Sequence, residues 1–302
     1  MTPIKLQFAD FYFGFDSYNN YFYHLLSKYY TIIISDSPDI LIFSNYGRNH
    51  YKYNCIKIFF SGENPFYDNG ENHIYSRKQY DYLIDHQFIN SSRHFRLPLF
   101  VCYDGYLDLI KNRNQTITAN DIIDKKFCNF IYSNDNSPVR KVFFNWLNEY
   151  KKVDSGGKVM NNLGYLVKDK RQFIKDYKFT IAFENTKADG YTTEKLFEPL
   201  SERSIPIYWG NPKVSVDFNP EAFLYLDDIN NIKDIIDKII RIDTNDKLYL
   251  EYVNSPAFPH NNILPDYAHE ENFIDWFDKI FYSKASRIKY FYIKYIACDK
   301  IY

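Results

Sequence analysis

Glycine and cysteine are scarce in this chain: 10 Gly and 4 Cys among 302 residues. With 12 Pro, so little glycine excludes collagen-like and low-complexity organisation. Cys55, Cys102, Cys128 and Cys298 are scattered and form no C-x-x-C pair. Neither a zinc site nor a disulfide framework is expected, and the scatter fits a reducing compartment. No run approaches the roughly 20 apolar residues of a membrane span. The opening Met-Thr-Pro-Ile-Lys-Leu carries no signal-peptide core. The expectation is a cytoplasmic protein that is not integral to a membrane. A surplus of one charge is missing too: 37 Lys and Arg against 38 Asp and Glu leave a net charge of -1. That excludes a general nucleic-acid binder, which needs many phosphate-neutralising cations. Also absent are G-x-x-x-x-G-K-[ST], G-x-G-x-x-G and D-x-D, the last a carboxylate pair spaced to hold a divalent metal on a diphosphate. Any diphosphate bound here must be neutralised by side chains and helix ends.

What the chain does have is a globular balance, 45% hydrophobic and 25% charged, and many aromatics, 30 Tyr and 27 Phe. Tyrosine suits half-polar surfaces such as sugar pockets and membrane edges. Thr31 to Ser35, Ile40 to Phe43 and Ile56 to Phe60 read as short buried strands, with a helix over Tyr18 to Tyr29. The third strand runs into the turn cluster Ser61-Gly-Glu-Asn-Pro65, which places Glu63 just past a strand's carboxyl end, where open α/β sheets bind ligands. The polar stretch Lys111 to Asp124 is the linker. After it come a strand at Phe127 to Tyr132 and a helix from Ser137-Pro138 to about Tyr150. The Gly156-Gly157 pair reads as flexible, and a short helix follows near Asp169 to Tyr177. Then come a strand at Phe179 to Phe183, a polar loop from Glu184 to Tyr191 and a helix from Thr192 or Thr193 to about Arg203. A strand at Ile205 to Trp209 and a helix at Ile232 to Ile242 complete the alternation. Two such β/α halves predict an α/β protein of two Rossmann-like domains, residues 1–120 and 121–280, facing a cleft. The tail, 281–302, has five basic residues against one acidic among many aromatics. It reads either as a closing helix or as a peripheral contact with an anionic membrane.

Chemistry concentrates at two helix starts. Thr192 is a natural N-cap and Glu194 suits the positive end of the helix dipole, whereas Lys195 in the same turn is mildly unfavourable. Arg140, three residues after the expected cap Ser137, raises the same question. An anion at both places would explain two cations where helices disfavour them. Arg offers phosphate a planar fork and Lys a point charge. The plainer explanations are a solvated Lys195 and a surface ion pair of Arg140 with Glu149 or an Asp.

The segment Tyr177-Lys-Phe-Thr-Ile-Ala-Phe-Glu-Asn-Thr-Lys-Ala-Asp-Gly-Tyr-Thr-Thr-Glu-Lys195, followed by Ile205-Pro-Ile-Tyr-Trp-Gly-Asn-Pro212, resembles the signature of the bacterial α1,3-fucosyltransferases. The resemblance extends through Phe59-Phe-Ser-Gly-Glu-Asn-Pro65, Arg96-Leu-Pro-Leu-Phe100, Phe127-Cys-Asn-Phe130, Ser137-Pro-Val-Arg140 and Gly156-Gly157, and covers roughly residues 9 to 227. It implies a GT-B fold with an N-terminal acceptor domain, a C-terminal GDP-fucose domain and an inverting transfer without a covalent enzyme intermediate. It implies Glu63 as the general base and Glu194 as the carboxylate near the donor sugar. Arg140 and Lys195 would hold the diphosphate, with Asn185 and Tyr191 contacting the donor and Glu184 orienting its neighbours. No cofactor and no metal are implied. The partners are GDP-fucose and an oligosaccharide acceptor of lactosamine or lactose type, such as a lipopolysaccharide precursor of the Lewis-antigen kind. One departure stands out: Tyr80-Asp-Tyr-Leu-Ile-Asp-His86 departs from the Gly-Phe-Asp pattern associated with this stretch. Two alternatives stay open, a transferase of the same fold with another GDP-sugar or acceptor, and a non-catalytic carbohydrate-binding protein.

Overall fold

The computed structural model describes residues 3–63, 79–103, 105, 109, 115–135 and 137–282. Asn64 and Pro65, residues 111–114 of the expected linker, and the tail from 283 onward lie outside the described residues.

The first sheet has six parallel strands in the order β2-β1-β3-β4-β5-β6. They are β1 (Ile4–Ala9), β2 (Ile32–Ile34), β3 (Ile40–Phe43), β4 (Ile56–Phe60), β5 (Tyr82–Asp85) and β6 (His94–Arg96). Central β3, Ile-Leu-Ile-Phe, is buried at all four positions, as a strand covered on both faces must be. Helix α1 (Tyr21–Tyr29) starts three residues later than the sequence implies. Asn20 ends the preceding turn by accepting the Tyr23 amide, and Phe22, Leu25 and Leu26 then turn inward.

The second sheet, also parallel, runs β11-β10-β9-β7-β8. Its strands are β7 (Lys126–Phe130), β8 (Val153–Ser155), β9 (Tyr177–Phe183), β10 (Ile205–Trp209) and β11 (Leu224–Tyr225). Around it pack α2 (Pro138–Tyr150), α3 (Lys170–Lys175), α4 (Glu194–Ser201), α5 (Ile232–Asp243) and α6 (Asp246–Asn254). Ile232, Ile236, Ile239 and Ile242 recur at helical spacing along α5 and give it a buried stripe.

Two expectations are corrected. Gly156-Gly157 is a place of close approach, not of flexibility: a Cβ on Gly157 would lie 2.2 Å from the Tyr132 carbonyl oxygen. The polar linker is ordered in part, since Thr118 and Asp121 form a capping box over a single turn, Ala119–Ile122. The chain also returns on itself. Residues 270–282 form a helix that packs on the first sheet's elements, with Phe273 against Phe22 and Phe95, and Trp276 against Tyr82.

Candidate active site

Strand order locates the crevices. In the second sheet the order reverses between β7 and β9, and open α/β sheets bind ligands past the carboxyl ends of strands at such a point. A cavity of about 330 Å³ lies there, lined among others by Tyr132, Asn134, Arg140, Asn185, Glu194 and Lys195. Four of the residues singled out in the sequence therefore meet in one cavity.

Arg140 owes its place to Pro138 at the first position of α2, which starts the helix close to β7 and β9. The side chain is only 2% exposed. Its Nη2 donates to the Phe183 carbonyl at 2.9 Å and to Asn185 Oδ1 at 2.7 Å, and Nη1 donates to the Asn134 carbonyl at 3.2 Å. The guanidinium lies 4.1 Å from the centre of the Tyr132 ring. Neither Glu149 nor any other carboxylate among the described residues pairs with it, so the surface ion pair is ruled out. The charge is fixed by neutral dipoles and left uncompensated, an arrangement that favours an incoming anion.

Lys195 is handled differently. Its Nζ sits 2.9 Å from Glu194 Oε1 and 3.5 Å from Glu184 Oε2. Burial pulls the ammonium downward, but the two carboxylates outweigh it and hold its pKa above the usual lysine value. Burial likewise pushes Glu194 up, yet Lys195 and Lys170 together bring it down to about 2. Glu184, fully buried, is raised by desolvation. Its two oxygens accept from the Thr193 amide and hydroxyl, both at 2.8 Å, so it anchors the start of α4 from beneath. Thr193, not Thr192, is the N-cap; the Thr192 hydroxyl accepts instead from the Asn211 amide at 3.1 Å.

Tyr191 and Glu63 stand apart from the cavity lining. Tyr191 is buried against His86 of the first sheet, their ring centres 5.3 Å apart. Gly190, at φ 78°, makes this possible: a Cβ there would lie 2.1 Å from the His86 carbonyl oxygen. Desolvation raises the Tyr191 phenol, and the charges of Glu184, Glu63 and Glu194 add to it. Tyr191 is thus within electrostatic reach of both the Glu63 and the Glu194 carboxylates. Sequence reasoning missed Tyr103, in the first half of the chain, whose phenol is pushed up by burial and by the nearby Glu194 charge. It also missed Tyr132, the face against which Arg140 lies. Both precede or follow motifs already noted, but nothing local marks an isolated tyrosine in a chain with 30 of them.

Residues 6–103 match the model of the "Alpha-(1,3)-fucosyltransferase FucT N-terminal domain", and residues 123–258 that of the "Glycosyltransferase family 10 (fucosyltransferase) C-term". The chain belongs to glycosyltransferase family 10. Within that family it is 31% identical over 275 residues to Alpha-(1,3)-fucosyltransferase FucT of Helicobacter pylori, an alignment spanning 77% of this chain and 55% of that protein. GDP-fucose protein O-fucosyltransferase 3 of Homo sapiens is 28% identical over 179 residues, 54% of this chain and 37% of that protein. The chain therefore spans between about a third and just over half the length of these curated relatives. Among solved structures, an α1,3-fucosyltransferase superposes with a TM-score of 0.76 at 27% identity, covering 92% of this chain and 90% of that one. An α1,3-fucosyltransferase solved with GDP-fucose gives 0.74 at 26% identity, with the same coverage. An α-glucosyltransferase solved with UDP-glucose and DNA shares the fold alone, at 11% identity and a TM-score of 0.53 over 90% of both chains. The expected α/β, GT-B architecture is the one found. Among the described residues no helix is long and apolar enough to cross a membrane.

Proposed function

We propose that this family 10 glycosyltransferase moves L-fucose from GDP-fucose to the 3-hydroxyl of N-acetylglucosamine or glucose in a lactosamine- or lactose-type acceptor, with inversion. The observation that carries the reading is the buried, uncompensated Arg140 fork beside Lys195 at the switch point of the second sheet. A diphosphate would supply the missing charge. The solved α1,3-fucosyltransferase with GDP-fucose supports the donor assignment, since it covers 92% of this chain.

In this reading Glu63 takes the proton of the acceptor hydroxyl while its oxygen attacks the anomeric carbon. The bond from that carbon to the β-phosphate oxygen breaks, and GDP leaves with the electron pair. Preorganised Arg140, Lys195 and the first amides of α4 stabilise the charge that develops on the leaving group. Glu194, ionised at all ordinary pH, faces the positive charge that builds on the sugar. These groups need no metal partner, so EDTA is expected to leave turnover intact; inactivation that Mn²⁺ reverses would contradict this. The sequence of 281–302 supports a peripheral contact with anionic lipid, which truncation after Ser283 would abolish in a vesicle sedimentation assay.

The deciding test is GDP release from GDP-fucose with lactose and N-acetyllactosamine side by side, with the product linkage assigned by NMR. A 3-linked fucoside on either sugar is the expected result. GDP binding without product would favour another donor, a protein acceptor such as the name of the human relative specifies, or a binding protein.

A further inference from the structure

Glu63 emerges from β4 with its backbone well tied. The Ser61 hydroxyl donates to the Glu63 carbonyl at 3.2 Å and accepts from the Glu63 amide at 3.3 Å. That fixes the main chain but not the three side-chain torsions, and a base must keep one oxygen aimed at the acceptor hydroxyl. A second tie reaches the carboxylate itself: the Tyr46 hydroxyl donates to Glu63 Oε1 at 3.2 Å.

Tyr46 lies in the loop after β3, the strand next to β4. The loop is locked from the opposite side by Asp10, just past β1. The Asp10 carbonyl accepts the Tyr46 amide at 2.9 Å. Its carboxylate accepts the Asn49 amide at 2.7 Å, the His50 amide at 2.9 Å and the His50 Nδ1 hydrogen at 2.7 Å. Asp10 and His50 are buried, and the His50 ring stacks on Phe43 at 4.4 Å. Asp10 holds φ 59°, a left-handed conformation kept at a non-glycine residue only where surroundings over-determine it. β1 and β3 are also where the first sheet's strand order reverses, the counterpart of the donor crevice.

We propose that Tyr46 is a positioning residue for the general base, set by the Asp10–His50 lock; this rests on Glu63 being that base. By holding Oε1, Tyr46 leaves Oε2 for the acceptor proton. The test compares the steady-state rates of wild type, Tyr46→Phe, Glu63→Gln and the double variant at one neutral pH. GDP-fucose and N-acetyllactosamine are the substrates. Tyr46→Phe is expected to lower kcat about 10-fold, the effect of losing one hydrogen bond to a charged group. It should leave the KM for GDP-fucose unchanged, so that the loss falls on kcat alone. The double variant should match Glu63→Gln. Asp10→Asn, which loosens the loop without touching Glu63, should lower kcat in the same way by less. A Tyr46→Phe enzyme with wild-type kcat would overturn the proposal. So would an undiminished effect of Tyr46→Phe in the Glu63→Gln background, since Tyr46 would then act elsewhere. If Glu63→Gln alone kept the wild-type rate, the base assignment itself would fall, and the positioning role with it.

Discussion

His86 is a fully buried imidazole with neither ring nitrogen hydrogen-bonded. It also ends the stretch Tyr80 to His86, which departs from the Gly-Phe-Asp pattern. Its neighbours explain how it is tolerated: Asp85 accepts from His94 Nε2 at 2.8 Å and from the Gln87 amides, which fixes the turn and leaves His86 facing Tyr191. Burial, assisted by the Arg96 and His94 charges and opposed by Asp85, brings its pKa down from 6.5 to about 4. The unfolded chain therefore binds the extra proton first. Stability from this group is complete above about pH 6.5 and is lost as pH falls toward 4. His86→Phe should remove that loss, amounting to a few kcal/mol at the acid end, and flatten the dependence of Tm on pH between those values. An unchanged slope would show that another group titrates there. At Arg140 the expectation is different. Arg140→Lys keeps the charge but not the fork, and should weaken GDP binding about 10- to 100-fold by calorimetry, because a bidentate grip cannot be made by a point charge. The charge of Arg140 at the wrong end of a helix was visible in the sequence, and so was that of Lys195. Their difference was not, because the carboxylates that compensate Lys195 and miss Arg140 are set by tertiary packing.

Elements were legible in proportion to their length and hydrophobicity. The buried runs Ile40–Phe43, Ile56–Phe60 and Ile205–Trp209 coincide with β3, β4 and β10. β1, Ile-Lys-Leu-Gln-Phe-Ala, alternates and starts at the chain's edge, while β6 and β8 are three residues each, too short for any periodicity. Gly156-Gly157 was misread because a sequence shows the freedom of glycine and not what presses against it. The structure makes the second glycine a steric requirement of the turn beside Tyr132, whose hydroxyl in turn accepts the Phe183 amide at 2.7 Å. Gly157→Ala is expected to cost about 1–3 kcal/mol by overpacking and to lower Tm by several degrees. Because the strain falls on Tyr132, the face behind Arg140, GDP affinity should drop as well. A variant with normal Tm and GDP binding would show that the loop can move aside.

Across the whole molecule, Arg96 at the end of β6 is tied to the second half of the chain through Asp217, which closes a short helix after β10. Nη1 and Nη2 of Arg96 meet the two oxygens of Asp217 at 2.9 and 2.7 Å, and the Tyr267 hydroxyl donates to Asp217 at 2.8 Å. The motif Arg96-Leu-Pro-Leu was recognised in the sequence, but its partner lies 121 residues away and could not be. Removing one member of a buried pair strands the other, so Asp217→Ala should destabilise by about 3–5 kcal/mol in denaturant titration. Arg96→Met combined with Asp217→Leu should cost less than the sum of the single changes. Full additivity would mean that the bridge carries no coupling between the halves.

The helix of residues 270–282 has a consequence for how the protein is made. Its Trp276 donates to the Ser92 carbonyl, its Lys28–Glu270 and Tyr30–Asp278 contacts close over α1, and Phe273 fills the space between Phe22 and Phe95. The first sheet's strands are all translated by Arg96, yet this cover reaches the ribosome's exit only after the second sheet has been made. At ordinary elongation rates that is a delay of roughly 10–30 s, during which the aromatic flank of β5, β6 and α1 stays uncovered. The early half of the chain is thus the last to finish folding, and the vulnerable species during synthesis is a nascent chain already several strands past its first sheet.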